Sequence, residues 1–146
     1  MMGGEIKDFK NESYGRSGGI VNVRYSGVFF MSGGAIYGND LFAARGGIVR
    51  VEYSSTFDMS GGSIWGNNCR GGSAINLSDS FFEMSGGIIY GSTRSGTPAR
   101  FANTSDFPYA TLILNATGRA RYGDGTYILP QADMQCFATD YTIIGR

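Results

Sequence analysis

The chain has 146 residues, of which 24 are glycine and three are proline, and twelve basic side chains balance twelve acidic ones. A neutral chain offers no basic face to nucleic acid, and no apolar run reaches the length of about 18 residues that indicates a transmembrane helix. Histidine is absent, which removes the commonest general base and the commonest neutral metal ligand. We therefore expect no nucleic-acid partner, no membrane span, no metal site and no cofactor.

One motif recurs along the chain and reads Met-Ser-Gly-Gly-x-Ile-aromatic-Gly. Full copies occupy residues 31–39, 59–67 and 84–92, and a degenerate copy occupies residues 1–6. The copies begin at intervals of 30, 28 and 25 residues. A fixed period of this length is typical of repeat architectures, in which each repeat forms one structural unit.

A second segment precedes each full copy. It reads Gly-Gly-Ile-Val-x-Val at residues 18–23 and 46–51. At residues 71–77 the same alternation appears with Ile75 and Leu77 in the two valine positions, provided that one residue is lost from the following turn. The repeat therefore holds two recognisable segments with a fixed order.

The local pattern indicates strands. Val49, Val51 and Tyr53 alternate with Arg50 and Glu52, and this period of two predicts an apolar face that includes Tyr53. Each repeat is expected to hold about three short strands: the Ile-Val-x-Val, Phe-x-Met and Gly-x-Ile-x-Gly segments. One such unit cannot bury its own apolar face, whereas stacked units bury a shared one.

These observations predict an all-β fold, a right-handed parallel β-helix of about four to five coils with a C-terminal capping segment. Neighbouring coils are expected to lie about 4.8 Å apart. Residues 1–110 are predicted to form the repeats, with a degenerate coil over 100–110, and residues 111–146 a strand and hairpin cap of the same domain. A β-sandwich is less favoured because it needs no repeated motif, and a propeller blade needs about 40–45 residues.

The segments at residues 57–67 and 46–49 resemble repeats of bacterial adhesin-like surface proteins, which belong to the pectin-lyase-like superfamily of right-handed β-helices. The resemblance covers residues 1–92. It implies the fold and an extracellular or cell-surface location. It does not imply an activity, because the shared motif is structural.

Equivalent positions of stacked repeats form columns, and the columns that are expected to point inward explain most of the motif. The paired glycines are expected to form a corner where a positive φ or a close approach excludes a Cβ. Asn39 and Asn67 are expected to form a ladder that satisfies backbone groups of the turn. The inward columns are Met31, Met59 and Met84; Ile36, Ile64 and Ile89; and Phe29, Phe57 and Phe82.

The aromatic position of the motif follows the inward isoleucine, so alternation places Tyr37, Trp65 and Tyr90 outside. Three aromatic rings in a column suit a sugar or a protein partner. The alternative is that the rings stack on one another and only stabilise the fold, or are covered by a loop or a subunit.

A second outward column contains Phe30, Asp58 and Glu83. Two carboxylates on neighbouring coils suit acid–base glycosidase chemistry or calcium binding. Two acids on a flat face are more often simply solvated, so Asp58 and Glu83 are candidate binding residues and no catalytic residue is assigned.

The sequence therefore favours a non-enzymatic, surface-exposed or secreted module that binds a glycan or a host or cell-surface protein. The alternatives are a fragment of a carbohydrate-active enzyme (polysaccharide lyase or glycoside hydrolase) and a phage tail-spike segment. The chain begins in mid-coil, which predicts either a piece of a longer β-helix or a homo-oligomer that covers this coil. The pairing of Cys69 and Cys136 is left open, because a disulfide needs the fold to bring them together.

Overall fold

The computed structural model of the chain describes residues 1–11, 19–41, 47–69, 74–90, 110–115, 119–122, 124, 134–138 and 143–144. Strands, turns and irregular segments make up this part of the chain, so the described fold is all-β. The strands are β1 (Glu5–Lys7), β2 (Val21–Val23), β3 (Val28–Tyr37), β4 (Asp40–Leu41), β5 (Val49–Glu52), β6 (Thr56–Trp65), β7 (Asn68–Cys69), β8 (Ile75–Ser78), β9 (Phe81–Tyr90), β10 (Ala110–Asn115), β11 (Arg119–Tyr122), β12 (Met134–Ala138) and β13 (Ile143–Ile144).

The described strands form three sheets that are parallel for most of their extent. The first has the order β1-β3-β6-β9-β11, with β13 also paired to β9, and the second has the order β12-β10-β8-β5-β2. The third pairs β4 with β7. Antiparallel pairing joins β10 to β12 and β9 to β13, toward the end of the chain. The expectation of parallel strands in an all-β chain is thus confirmed.

Equivalent positions of the motif are paired in register. Met31 lies opposite Met59, and Met59 lies opposite Met84. In the second sheet, Ile75 and Leu77 lie opposite the two valines of β5, as the shortened third copy predicts.

The residue missing from the third copy lies in the turn after β8. Val49 of β5 pairs with Ile75 of β8, and Thr56 of β6 pairs with Phe81 of β9. The separation in sequence between paired residues is therefore one residue smaller for β6 and β9 than for β5 and β8.

The apolar side chains predicted to point inward form a continuous core. Phe57 and Phe82 are fully buried and stacked, and Phe29 packs against Phe57 from the edge of the core with 5.1 Å between ring centroids. Leu41 and Ile48 extend the core beyond the motif. The buried motif residues are Met31, Met59, Met84, Ile36, Ile64 and Ile89.

The paired glycines shift the register of a strand without ending it, so the predicted division into Phe-x-Met and Gly-x-Ile strands is wrong. Each of β3, β6 and β9 runs through the glycines as one ten-residue strand, and the register slips there. Gly62 has φ +85, and a Cβ at this position would lie 2.7 Å from the Gly34 carbonyl oxygen and 2.8 Å from the Met31 Cε. The methionine methyl group therefore occupies the space that a glycine of the next repeat leaves free.

Asn39 and Asn67 form the predicted ladder. The Asn39 Nδ2 donates to the Ile6 carbonyl at 3.0 Å, and the Asn67 Nδ2 donates to the Ile36 carbonyl at 2.9 Å. The Asn67 Oδ1 accepts from both the backbone N–H and the Nδ2 of Asn39. Both side chains are buried, so these bonds satisfy backbone groups that water does not reach.

Toward the C-terminus, β10 pairs in parallel with β8, and β11 pairs in parallel with β9. Two of the sheets therefore continue past residue 110, and the antiparallel strands β12 and β13 lie beside them. The proposed boundary between repeats and cap stays a prediction. The degenerate coil expected over 100–110 falls outside the described residues except for Ala110. Among the residues that the structure describes, no helix has the length and apolar character to cross a membrane.

We predict that Gly62→Ala destabilises the protein by about 2–5 kcal/mol, since it combines a left-handed backbone with an overpacked contact. Gly66→Ala is the matched control, because Gly66 has φ +57 but open space where a Cβ would lie. It should cost only about 1–2 kcal/mol. Urea denaturation of both variants measures the difference, and equal losses would contradict the packing role of the glycine pair.

Candidate functional site

The aromatic column lies at the ends of three paired strands. Tyr37 ends β3, Trp65 ends β6 and Tyr90 ends β9, and the three positions are opposite one another in the register. Tyr37 and Trp65 are half-buried, and each follows a fully buried isoleucine. The side chain of Tyr90 lies outside the described part of the structure.

The rings of Tyr37 and Trp65 stack face to face. Their centroids are 4.6 Å apart, and their planes differ by 4°. On the other side of Tyr37, the Lys7 Nζ lies 5.4 Å from the ring centroid, in the position of a cation–π contact. Both faces of Tyr37 are therefore covered, and its hydroxyl interacts with Glu5 and Lys7, which leaves the ring edges for any partner.

A charged pair closes the β1 end of this column. The Lys7 Nζ lies 2.8 Å from the Glu5 Oε2. The hydrogen bond from Lys7, and then its positive charge, hold the pKa of the Glu5 carboxyl below its ordinary value, and the Tyr37 hydroxyl adds to this effect. The same carboxylate, followed by Tyr37, raises the pKa of Lys7. The pair is exposed, so solvent screens it and its effect on stability is small.

The second predicted column is arranged as the alternation indicates. Asp58 lies opposite Phe30 on one side and opposite Glu83 on the other. Both acids are half-buried, Phe30 is exposed, and the backbone of Arg121 in β11 is in register with Glu83. Within the described ranges, no group of three or more His, Cys, Asp or Glu side chains is placed to hold a metal ion. Ligand binding by Asp58 and Glu83 stays a prediction.

The alternation of the sequence predicts Tyr53 on the apolar face of β5, and this prediction is wrong. Strand β5 ends at Glu52, and Tyr53 enters a turn with φ 54 that directs its ring outward, where it is 53% exposed. Tyr25 occupies the same position in the preceding repeat, with φ 57 and 79% exposure. The two rings stack, with centroids 5.4 Å apart and planes that differ by 6°. Neither turn contains the Asn-Gly pair that would have indicated this conformation.

The turn conformation is costly for these residues. Tyr25, Ser26, Tyr53 and Ser54 all have positive φ, and a non-glycine residue in this region costs on the order of 1–3 kcal/mol. The tyrosine stack contributes only about 0.5–1.5 kcal/mol. Stacking therefore does not offset the strain of four residues, and stability does not account for Tyr-Ser in both turns.

An ion cluster adjoins this turn on the outward side of the second sheet. The Arg24 Nε lies 2.9 Å from the Glu52 Oε2, and an Nη of Arg50 donates to the Glu52 Oε1. Glu52 is 5% exposed, although its position is on the side of the strand opposite to the buried valines. Two guanidinium groups contact one carboxylate, so these three side chains together carry one net positive charge. The Arg24 side chain is the more exposed of the two arginines.

The predicted residues and the additional ones thus form separate groups. Tyr37 and Trp65 belong to one stack beside Lys7, and Asp58 and Glu83 lie in another column of the same sheet. Tyr25, Tyr53 and Arg24 lie at the turns between the second sheet and the first. Comparison with protein-family models, with curated proteins and with solved structures finds no match for the chain.

We predict that Lys7→Met raises the pKa of the Glu5 carboxyl toward its ordinary value of 4.5. Because the folded pKa is lowered, the Glu5–Lys7 pair stabilises the fold above the unfolded pKa, and this contribution is lost as the pH falls through the folded pKa. NMR titration of the Glu5 carboxyl carbon measures the midpoint. Lys10→Met is the control, and an unchanged midpoint in Lys7→Met would show that Lys7 is not the cause.

Proposed function

We propose that the chain is a right-handed parallel β-helix whose repeats are successive coils, similar to the adhesin-like surface proteins that the motif resembles. The in-register pairing of equivalent positions in parallel sheets supports this proposal. The asparagine ladder supports it as well, because it links the same turn position of successive repeats. On this proposal the module is surface-exposed or secreted.

Its function on this proposal is non-enzymatic binding through an outward face. The aromatic column carries the proposal, because Tyr37 and Trp65 remain partly accessible in a row of fixed geometry. Stacking holds both rings in place, so a partner would meet side chains that are already ordered. Such preorganised aromatic groups lower the entropic cost of association.

The ring geometry favours a protein over a glycan at this column. A sugar packs its C–H groups on an open aromatic face, whereas the faces of Tyr37 are covered by Trp65 and Lys7. The ring edges and the neighbouring Glu5 and Lys7 side chains suit the mixed apolar and polar contacts of a protein interface. We therefore propose a cell-surface or matrix protein as the partner, with glycan binding as the competing outcome.

Binding of the whole chain to an array of cell-surface and matrix proteins and to a glycan array tests this function. For a protein that binds, Trp65→Ala should weaken the affinity by about thirtyfold, because truncation of a central aromatic costs roughly 2 kcal/mol. Phe9→Ser is the control, since Phe9 is an exposed aromatic residue outside the column.

Three outcomes would count against the protein-binding column. Neither array binds the chain; Trp65→Ala and Phe9→Ser weaken binding equally; or only glycans bind and Trp65→Ala abolishes that binding. The last result would replace the protein by a sugar at the same column. Circular dichroism of each variant separates lost binding from lost folding.

The paired carboxylates favour a carbohydrate-active enzyme as the second candidate. Asp58 and Glu83 are neighbours on adjacent strands, and a pair of acids at suitable separation is the core of a glycosidase site. Under the binding proposal, we predict that the chain releases neither new reducing ends nor unsaturated products from pectin or alginate, as followed by a reducing-sugar assay for hydrolysis and by ultraviolet absorbance for lyase cleavage. Product release that Asp58→Asn abolishes would establish the enzymatic alternative and overturn the binding proposal.

A further inference from the structure

The turns before β3 and β6 hold two tyrosines in a fixed, exposed stack. The Gly27 N–H donates to the Arg24 carbonyl at 3.1 Å and closes the first turn. The Ser26 N–H donates to the Tyr53 carbonyl of the next repeat, also at 3.1 Å. Backbone pairing between repeats thus sets the left-handed conformation, and asparagine or glycine would adopt it with less strain.

The stack differs from the aromatic column in its accessible surface. Tyr53 covers one face of Tyr25, yet Tyr25 remains 79% exposed. Tyr25 therefore presents most of its ring, including the face away from Tyr53, to solvent. The two parallel rings touch, so no slot for a proline ring exists between them. A flat ligand surface with C–H groups fits the open face.

The neighbouring charge selects among such ligands. Arg24 precedes Tyr25 in the chain, and its ion pair with the buried Glu52 uses the Nε atom. Arg50 donates to the same carboxylate, so the negative charge of Glu52 is already shared between two cations. Arg24 is the more exposed of the two arginines, so its guanidinium would attract an anionic group beside the Tyr25 ring and would repel a cationic one.

We propose that Tyr25 and Arg24, supported by Tyr53 and Glu52, form a binding site for a saccharide that carries an anionic group. The sugar ring packs on the open face of Tyr25. Its carboxylate or sulfate binds the guanidinium of Arg24, which Glu52 orients. This site is separate from the aromatic column and extends the proposed function from one ligand to two.

Calorimetric titration of the whole chain with three tetrasaccharides tests the site. The probes are a hyaluronan tetrasaccharide with carboxylates, a chondroitin sulfate tetrasaccharide with carboxylates and sulfates, and neutral cellotetraose. We expect at least one acidic probe to bind at least about tenfold more tightly than cellotetraose, with an affinity that falls as salt rises. Hyaluronan binding would identify the carboxylate as sufficient, and binding of chondroitin sulfate alone would identify the sulfate.

Two variants then locate the site. Tyr25→Asn combined with Ser26→Gly supplies the residues that the turn prefers, so acidic-sugar binding should fall by about tenfold or more while the melting temperature stays unchanged or rises. Arg24→Gln should remove the preference for the acidic probes. The matched controls are Phe9→Ser and Lys10→Gln, an exposed aromatic residue and an exposed cation that are adjacent in the chain.

The proposal is overturned if neither acidic probe binds, if cellotetraose binds as tightly as both acidic probes, or if the turn variant binds like the unchanged chain. Its failure is distinguishable from failure of the protein-binding function. Protein binding that depends on Trp65 would persist without any sugar binding at Tyr25, and the absence of all binding would contradict both.

Discussion

Parallel hydrogen bonding between equivalent positions places each side chain on its counterpart in the next repeat, at the strand spacing of about 4.8 Å. A residue in this arrangement packs against the residue at the same position of the next repeat. Methionine and glycine meet this constraint together, because the Met31 methyl group fills the space beside Gly62. Asparagine meets it by donating to the preceding repeat and accepting from the same neighbour. The motif is thus a set of side chains that stack on themselves.

The sequence predicted the parts of the fold that depend on repetition. Inward methionines, isoleucines and phenylalanines follow from a period of two combined with a repeat, and both signals are present in every full copy. The path of the backbone at the corners was less predictable. Whether a glycine pair ends a strand or lies within it depends on contacts with the adjacent repeat, and Gly62 lies within β6.

The candidate sites, like the fold, were only partly predictable from the sequence. Alternation correctly placed Tyr37 and Trp65 on the outward side, but it carried no information on ring orientation, which determines whether the faces are open. The prediction that Tyr53 lies on the apolar face is wrong because it extends the period-two alternation past Glu52, where the strand ends. The turn lacks asparagine and glycine, and its two serines are a weaker turn signal. Residues whose type does not suit their local backbone conformation cannot be placed by sequence pattern. Such residues are expected at functional sites.

A stack of repeats also explains how two neighbouring columns acquire different properties. Each repeat contacts mainly its neighbouring repeats, so a substitution at one position changes its own column and leaves the other columns intact. In the third repeat Asp79 takes the place of the tyrosine and the turn is one residue shorter, while the core columns remain in register. Among the described residues the tyrosine stack therefore has two members, whereas the methionine column continues into the third repeat. Because the turn position contributes little to the core, it is the place where the repeat varies at the least cost to folding.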